Sequence, residues 1–323
     1  MRQAALLAVL SAMTLSFLCQ AGAGQNPAPF TPIATRAIAT LSIPGFVDFL
    51  APDDRAVWST NEDRVEKLTH DSPGPVAVVA VPAPCGSMTV AFGSLWVVSC
   101  RESSVYRINL KSLAVSAKIR TGLADPEGEL SLAAGAGSIW VLTDAKGVLS
   151  RIDPTTDRVI AQVRVAPYSY AAAFAFDAVW ITNTGPSGHQ AAGSVQRIDP
   201  ATNRVTATIP VGSIPRFLAA GEGGIWTLNQ GDGSVTRIDP RNNRPVASIP
   251  LGMAGGGGDI AAGGGRIWVR SKKVLLASID PATNRVAEIF GPPAGSGAVR
   301  LAGDLVWVTA HDTKTVWVLR ASR

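Results

Sequence analysis

Residues 194–212 read SVQRIDPATNRVTATIPVG. Within them, 195–198 and 205–211 are runs of strand length rich in β-branched residues, and Asp199-Pro200-Ala201-Thr202-Asn203 between them is turn chemistry. The aspartate can bond the backbone two residues on, the proline presets φ at the first turn position, and the asparagine tolerates the left-handed region. The stretch is therefore a hairpin. Its grammar returns as SRIDPTTDRVIAQVRV from Ser150, TRIDPRNNRPVASIPL from Thr236 and ASIDPATNRVAEIFG from Ala277, and more loosely as YRINLKSLAVSAKIRTG from Tyr106.

A second signature precedes each copy: a turn, an aliphatic residue, a tryptophan and a short apolar run. It occurs at Trp58, Trp96, Trp140, Trp180, Trp226, Trp268 and Trp307, spaced 38 to 46 residues apart. A period of about 40 to 45 residues, holding about four short strands, is that of propeller blades. The expected fold is all-β: a seven-bladed β-propeller of four-stranded antiparallel blades. Trp317, in KTVWVLR, falls in a third-strand position, and the chain stops at Arg323 before a fourth strand. The missing outer strand is expected at the other end, where TRAIATLSIPG (35–45) has outer-strand grammar yet precedes the first tryptophan strand. An N-terminal strand closing the last blade removes two exposed sheet edges.

At 323 residues, with 46% hydrophobic and 16% charged, the chain can bury a large core as one propeller domain over 33–323. Residues 1–23 carry Arg2, an apolar run from Ala4 to Leu18 and Ala21-Gly22-Ala23, which read together as a secretory signal peptide. The apolar run is short for a membrane span. Cys19 raises the rival of a lipid anchor, but Phe17 and Leu18 stand where that site wants small residues. Residues 24–32 then form an extended linker, and the expected location is the periplasm or outside the cell.

Removal of the leader leaves Cys85 and Cys100 in an oxidising compartment. A hairpin turn centred between Phe92 and Gly93 sets them opposite one another, so a cross-strand disulfide is expected. The net charge of +5 comes from arginines such as Arg151, Arg197, Arg204, Arg237 and Arg244, which recur at repeat positions and spread around the ring. No basic run or aromatic-interleaved strip is present, so nucleic acid is not an expected partner.

Chemistry is expected where loops enter the innermost strands and leave the tryptophan strands. The leaving positions hold Glu62, Cys100, Asp144, Thr184, Gln230, Lys272 and His311, with Asn61, Asn183 and Asn229 one residue earlier. The entering positions hold Asp48, Met88, Glu127, Glu129, Tyr168, Tyr170, Arg216, Asp259 and Arg300. His311-Asp312 reads as an imidazole oriented by a carboxylate or, more plainly, as a polar strand end. His189 lies in the long 185–193 loop and His70 in an outer turn. Glu127 and Glu129 sit beside Asp125-Pro126 as a solvated turn would. Glycines 255–258 lack the Lys-Ser/Thr and helix of a phosphate loop.

RIDPATNRVTATIPVG followed by a GxIWV strand resembles the YVTN-type propeller repeats of secreted bacterial proteins, with Asn183 and Asn229 where that repeat carries its asparagine. The chain also resembles the virginiamycin B lyases, which open a cyclic ester antibiotic by elimination with a metal ion, a histidine and a glutamate. That resemblance places the glutamate three residues after a tryptophan, where this chain has Asn61, Ser99, Thr143, Asn183, Asn229, Ser271 and Ala310, none acidic. It also places the histidine at the start of an innermost strand, where no blade here has one. The resemblance therefore implies the scaffold rather than the activity. Glu62 and His311 each stand one residue beyond the glutamate position.

The leading expectation is a monomeric, non-catalytic propeller whose axial face binds a small molecule, peptide or partner protein through Tyr168, Tyr170, Asn183, Arg216, Asn229 and Lys272. No cofactor and no stable membrane insertion are expected. The rival is a lyase or hydrolase of a cyclic or ester substrate using Glu62, Asp144 and His311, with a divalent cation. A weaker rival, a quinone-cofactor propeller, lacks matching docking motifs. The enzyme reading requires Glu62, Asp144 and His311 to converge; the binding reading requires a broad face with Tyr168, Tyr170 and Arg216 exposed.

Overall fold

The computed structural model describes residues 30–124, 131–186 and 192–321. The leader, Cys19 and most of the linker lie outside these residues, as do Glu127, Glu129 and His189. The described residues form seven antiparallel blades, with helix confined to the short 3-10 turns Ile33–Thr35 and His311–Thr313. The fold is the seven-bladed β-propeller that the repeat predicts.

Blade four shows how the repeat builds each unit. Its strands are Ser169–Ala175, Ala178–Asn183, Ala192–Asp199 and Arg204–Ser213, in that order from the axis outward. In the outer turn the carboxylate of Asp199 accepts from the Ala201 N–H at 2.9 Å and from the Thr202 hydroxyl at 2.7 Å. Asn203 takes a φ of 54°, the left-handed geometry anticipated for it.

Five of the seven blade tryptophans close the turn in front of them through a backbone carbonyl. Trp96, Trp140, Trp180, Trp226 and Trp268 donate their indole N–H to a carbonyl five residues earlier at 3.0 to 3.1 Å. All seven are buried between neighbouring blades, so one residue type supplies both a turn latch and a large apolar surface. Trp307 lacks a partner for its indole N–H among the described residues.

Opposite four of these tryptophans stands an arginine of the third strand. Arg107, Arg151, Arg197 and Arg237 lie 4.8 to 5.2 Å from the ring centres of Trp96, Trp140, Trp180 and Trp226. Their guanidinium groups reach into the next blade, to the proline carbonyl and the Asp or Asn side chain of its outer turn. These four arginines thus hold blades two to six in line. Blade six has Ser278 opposite Trp268, and blade seven has Val318 opposite Trp307.

The lock stops there because the seventh blade has no outer hairpin to receive it. That blade comprises Val299–Ala302, Leu305–Ala310 and Thr315–Arg320, completed by Ala37–Ser42 from the start of the chain. Ala37–Ser42 pairs antiparallel with the third strand, with Leu41 against Val316. Just before it, Thr31 and Pro32 run parallel to the edge of blade six, and Arg36 forms an ion pair with Glu288 at 2.9 Å. The N-terminal segment thus straddles the junction of blades six and seven, one of those without an arginine lock.

Candidate functional site

Two concavities open near the axis. The first is the central channel, about 330 Å³, lined by the innermost strands of all seven blades. Its polar groups are engaged with one another. Asp259, 1% exposed, accepts from the backbone N–H groups of Ile260 and Val299 at 2.9 and 3.0 Å and pairs with Arg300. Tyr170 is buried in the wall, its hydroxyl accepting from Arg216 at 3.0 Å while the guanidinium lies 4.5 Å from its ring centre. Tyr170 and Arg216 therefore join blades four and five instead of standing out as exposed anchors. Tyr168, at 46% exposure, remains open to solvent.

The second is a cavity of about 550 Å³ over blades six, seven, one and two. Its lining includes Glu62, Lys272, His311, Asp48, Ser296 and both cysteines. Glu62 and His311 meet here, drawn together by the closure of the ring. Asp144 is not among the lining residues; it caps its own turn by accepting from the Lys146 N–H at 2.7 Å. The three residues of the enzyme reading do not share a cavity. Among the described residues, no three of His, Cys, Asp and Glu are grouped to hold a metal ion.

Asn61 fixes one wall. Its amide donates to Pro44 O at 2.8 Å and to Glu66 at 3.0 Å, and its oxygen accepts from the Phe46 N–H at 2.6 Å. Gly45 carries a φ of 101°, and a Cβ there would collide with the Asn61 amide, so the close approach requires glycine. The loop presents Phe46, half exposed, with its ring stacked on His311 at 4.1 Å.

The other asparagines serve the same kind of task. Asn183 donates to the carbonyl of Pro167. Asn229 is fully buried, donating to Ser234 and Thr236 at 2.9 Å each and accepting from Thr227 at 2.8 Å. With its amide saturated, Asn229 offers nothing to a ligand; it ties its own strands together. The asparagine of the repeat works on the scaffold.

His311 follows the tryptophan strand of blade seven and opens the 3-10 turn His311–Thr313. Its Nδ1 lies 2.9 Å from Asp312 Oδ1, near enough for a charge contact but without hydrogen-bond alignment. Burial pushes its pKa below the ordinary 6.5; Asp312 opposes this, while Arg270 and Lys272 push the same way. Arg270 is fully buried, two residues after Trp268, and burial brings its pKa down to about 10. Its guanidinium donates to Thr309 O at 3.2 Å and to Ser271 O, so blade six is bonded to blade seven from the inside. Sequence reasoning passed over Arg270; an arginine where sister blades carry Thr60, Val98, Leu142, Thr182, Leu228 and Thr309 was the available signal.

Cys85 and Cys100 are joined, with Cα atoms 5.8 Å apart. The expected register holds at Thr89–Trp96 and has shifted by the Pro84–Ser99 bridge, yet the pair still forms. Cys85 also donates its N–H to Val98 O, and Cys100 donates to Ala83 O, each at 3.0 Å. Lys272 is exposed at the cavity wall and forms no ion pair among the described residues. No helix among the described residues is long and apolar enough to cross a membrane.

No protein-family model matches the chain, and no curated protein matches it. Solved structures are similar in shape. BamB from Moraxella catarrhalis is 12% identical with a TM-score of 0.61, covering 84% of this chain and 81% of that one. Virginiamycin B lyase from Staphylococcus aureus is 14% identical with a TM-score of 0.67, covering 85% and 94%. The Pan2 WD40 domain from Neurospora crassa is 12% identical with a TM-score of 0.65, covering 86% and 89%. At such identities the likeness establishes the β-propeller fold, and a fold hosts many functions.

Proposed function

We propose that the chain is an exported binding propeller whose ligand, a small molecule or peptide, enters the cavity over blades six, seven, one and two and leaves it unchanged. The observation that carries this reading is the composition of that cavity. Glu62 and Lys272, oppositely charged, flank the stacked Phe46–His311 pair, while Asp144 stands elsewhere. Such a mixture supplies recognition: an aromatic surface for contact area and a few polar groups for orientation, in a volume suited to a drug-sized ligand. The likeness to YVTN-type secreted repeats and the cysteine pair support a periplasmic or extracellular location.

The second reading is a lyase, favoured by the likeness to virginiamycin B lyase and by Glu62 and His311 sharing a cavity. One experiment separates them: ligand-observed NMR with a fragment library on wild type and Phe46→Ala, followed by mass analysis of each hit and of a cyclic depsipeptide after incubation. Cavity-dependent hits recovered intact support binding. An elimination or hydrolysis product that disappears in His311→Ala would replace the binding reading with the enzyme one. A library with no Phe46-dependent hit would remove the cavity from consideration.

A further inference from the structure

We infer that this cavity takes a zwitterion, a short peptide with both termini free and an apolar body, its ammonium group at Glu62 and its carboxylate at Lys272. The inference rests on the binding reading above and names the ligand class. Glu62 stands in blade one and Lys272 in blade six, with blade seven between them, so two opposite charges from separate blades line one cavity. Glu62 meets only Arg64, at 3.6 Å, with 62% of its side chain exposed, and Lys272 has no ion pair among the described residues. Opposite charges on separate blades of one partly enclosed cavity favour a ligand that carries both complementary charges, set apart from one another.

The same cavity also offers an apolar surface. Phe46 turns one face to His311 and is 49% exposed, so its other side is open to an apolar group. The disulfide lines the same space. His311 stays neutral near pH 7, because burial and the cations Arg270 and Lys272 disfavour its protonation. Asp48 and Asp312 lie within electrostatic reach of the buried Arg270 and act on it as counter-charges. Lys272, Glu62 and the aromatic surface of Phe46 thus share one cavity.

Calorimetry on the full mature chain with the tripeptide Ala-Phe-Ala tests this, against its N-acetylated, C-amidated and doubly capped forms. Binding of the free peptide is expected, weakened at least tenfold by either cap. Lys272→Gln should cost affinity for the free peptide but not for the C-amide, and Glu62→Gln should mirror this with the N-acetyl form. Both residues are exposed, so the variants should fold, as a melting curve confirms. Absence of binding by the free peptide, or equal binding of free and doubly capped peptides, would overturn the inference. If that happens while a Phe46-dependent fragment still binds, the zwitterion is wrong and the binding reading survives; if neither binds, both fall.

Discussion

Arg197 of blade four donates to Asn243 of blade five at 3.0 Å while its guanidinium lies 5.2 Å from the ring centre of Trp180. The side chain also donates to Pro240 O at 3.1 Å, so a single arginine links a buried tryptophan, its own blade and the turn of the next. Charge-assisted bonds of this kind contribute about 1.5 to 3 kcal/mol each.

Replacing Arg197 with alanine should therefore lower unfolding stability by about 2 kcal/mol. Asn243→Ala should cost less, and the double variant should cost less than the sum, because the two residues share one interaction. Denaturant titration of the four proteins in the cycle checks this. Strict additivity would mean that the crossing bond contributes nothing.

Reduction of Cys85–Cys100 should lower the melting temperature without unfolding the protein. The bridge closes a loop of sequence separation 15, for which the chain-entropy model gives about 3 kcal/mol. Backbone bonds of Cys85 and Cys100 to Val98 and Ala83 continue to hold the loop after reduction. Thermal melts with and without reductant, beside a C85S/C100S variant, measure the effect; two titratable thiols in the untreated protein would contradict the bridge.

Stability should depend on pH through His311. Its pKa in the folded state is lowered from 6.5, so the unfolded chain binds the proton more readily. The contribution is fully present above the unfolded value, is lost as pH falls from about 6.5 toward the lowered folded value, and levels off below it. His311→Gln should remove that component from a series of melts between about pH 5 and 8. An unchanged slope in the variant would assign it to other groups.

A chain starting at Ile43 should fail to give a cooperative melt, because blade seven then lacks its outer strand and the junction beside it loses Arg36–Glu288. A synthetic peptide covering 30–42 should restore cooperative melting when added in trans. A cooperative melt from the truncated chain alone would make that strand dispensable.

The blades were legible because strand, turn and tryptophan positions are each fixed by local chemistry. Asp199, Pro200 and Asn203 suffice to predict their hairpin, and the Trp58-to-Trp307 spacing counts the sheets. The incomplete end of the repeat after Trp317 likewise announced the N-terminal strand of blade seven. The site was less legible, because loop position says which rim a residue occupies but not where its side chain turns. Tyr170, expected on an entering loop, lies in the innermost strand Ser169–Ala175, where Arg216 holds it in the wall. Asn229 occupies a leaving position and is absorbed by Ser234 and Thr236. Glu62, His311 and Lys272 meet through ring closure, a relationship between distant parts of the chain that no single repeat encodes.

The strand Ala37–Ser42 waits for Thr315–Arg320, and that wait sets an order of events. Blades one to six can assemble from neighbouring hairpins as the chain emerges, but the ring stays open until Thr315–Arg320 is available. Pairing across so long a separation is slow. An unfinished chain meanwhile carries unpaired sheet edges at both ends, open to wrong partners. Synthesis of Thr315–Arg320, rather than growth of the core, is the step that commits this protein to its final shape, and a product truncated before that strand would have no ring to close.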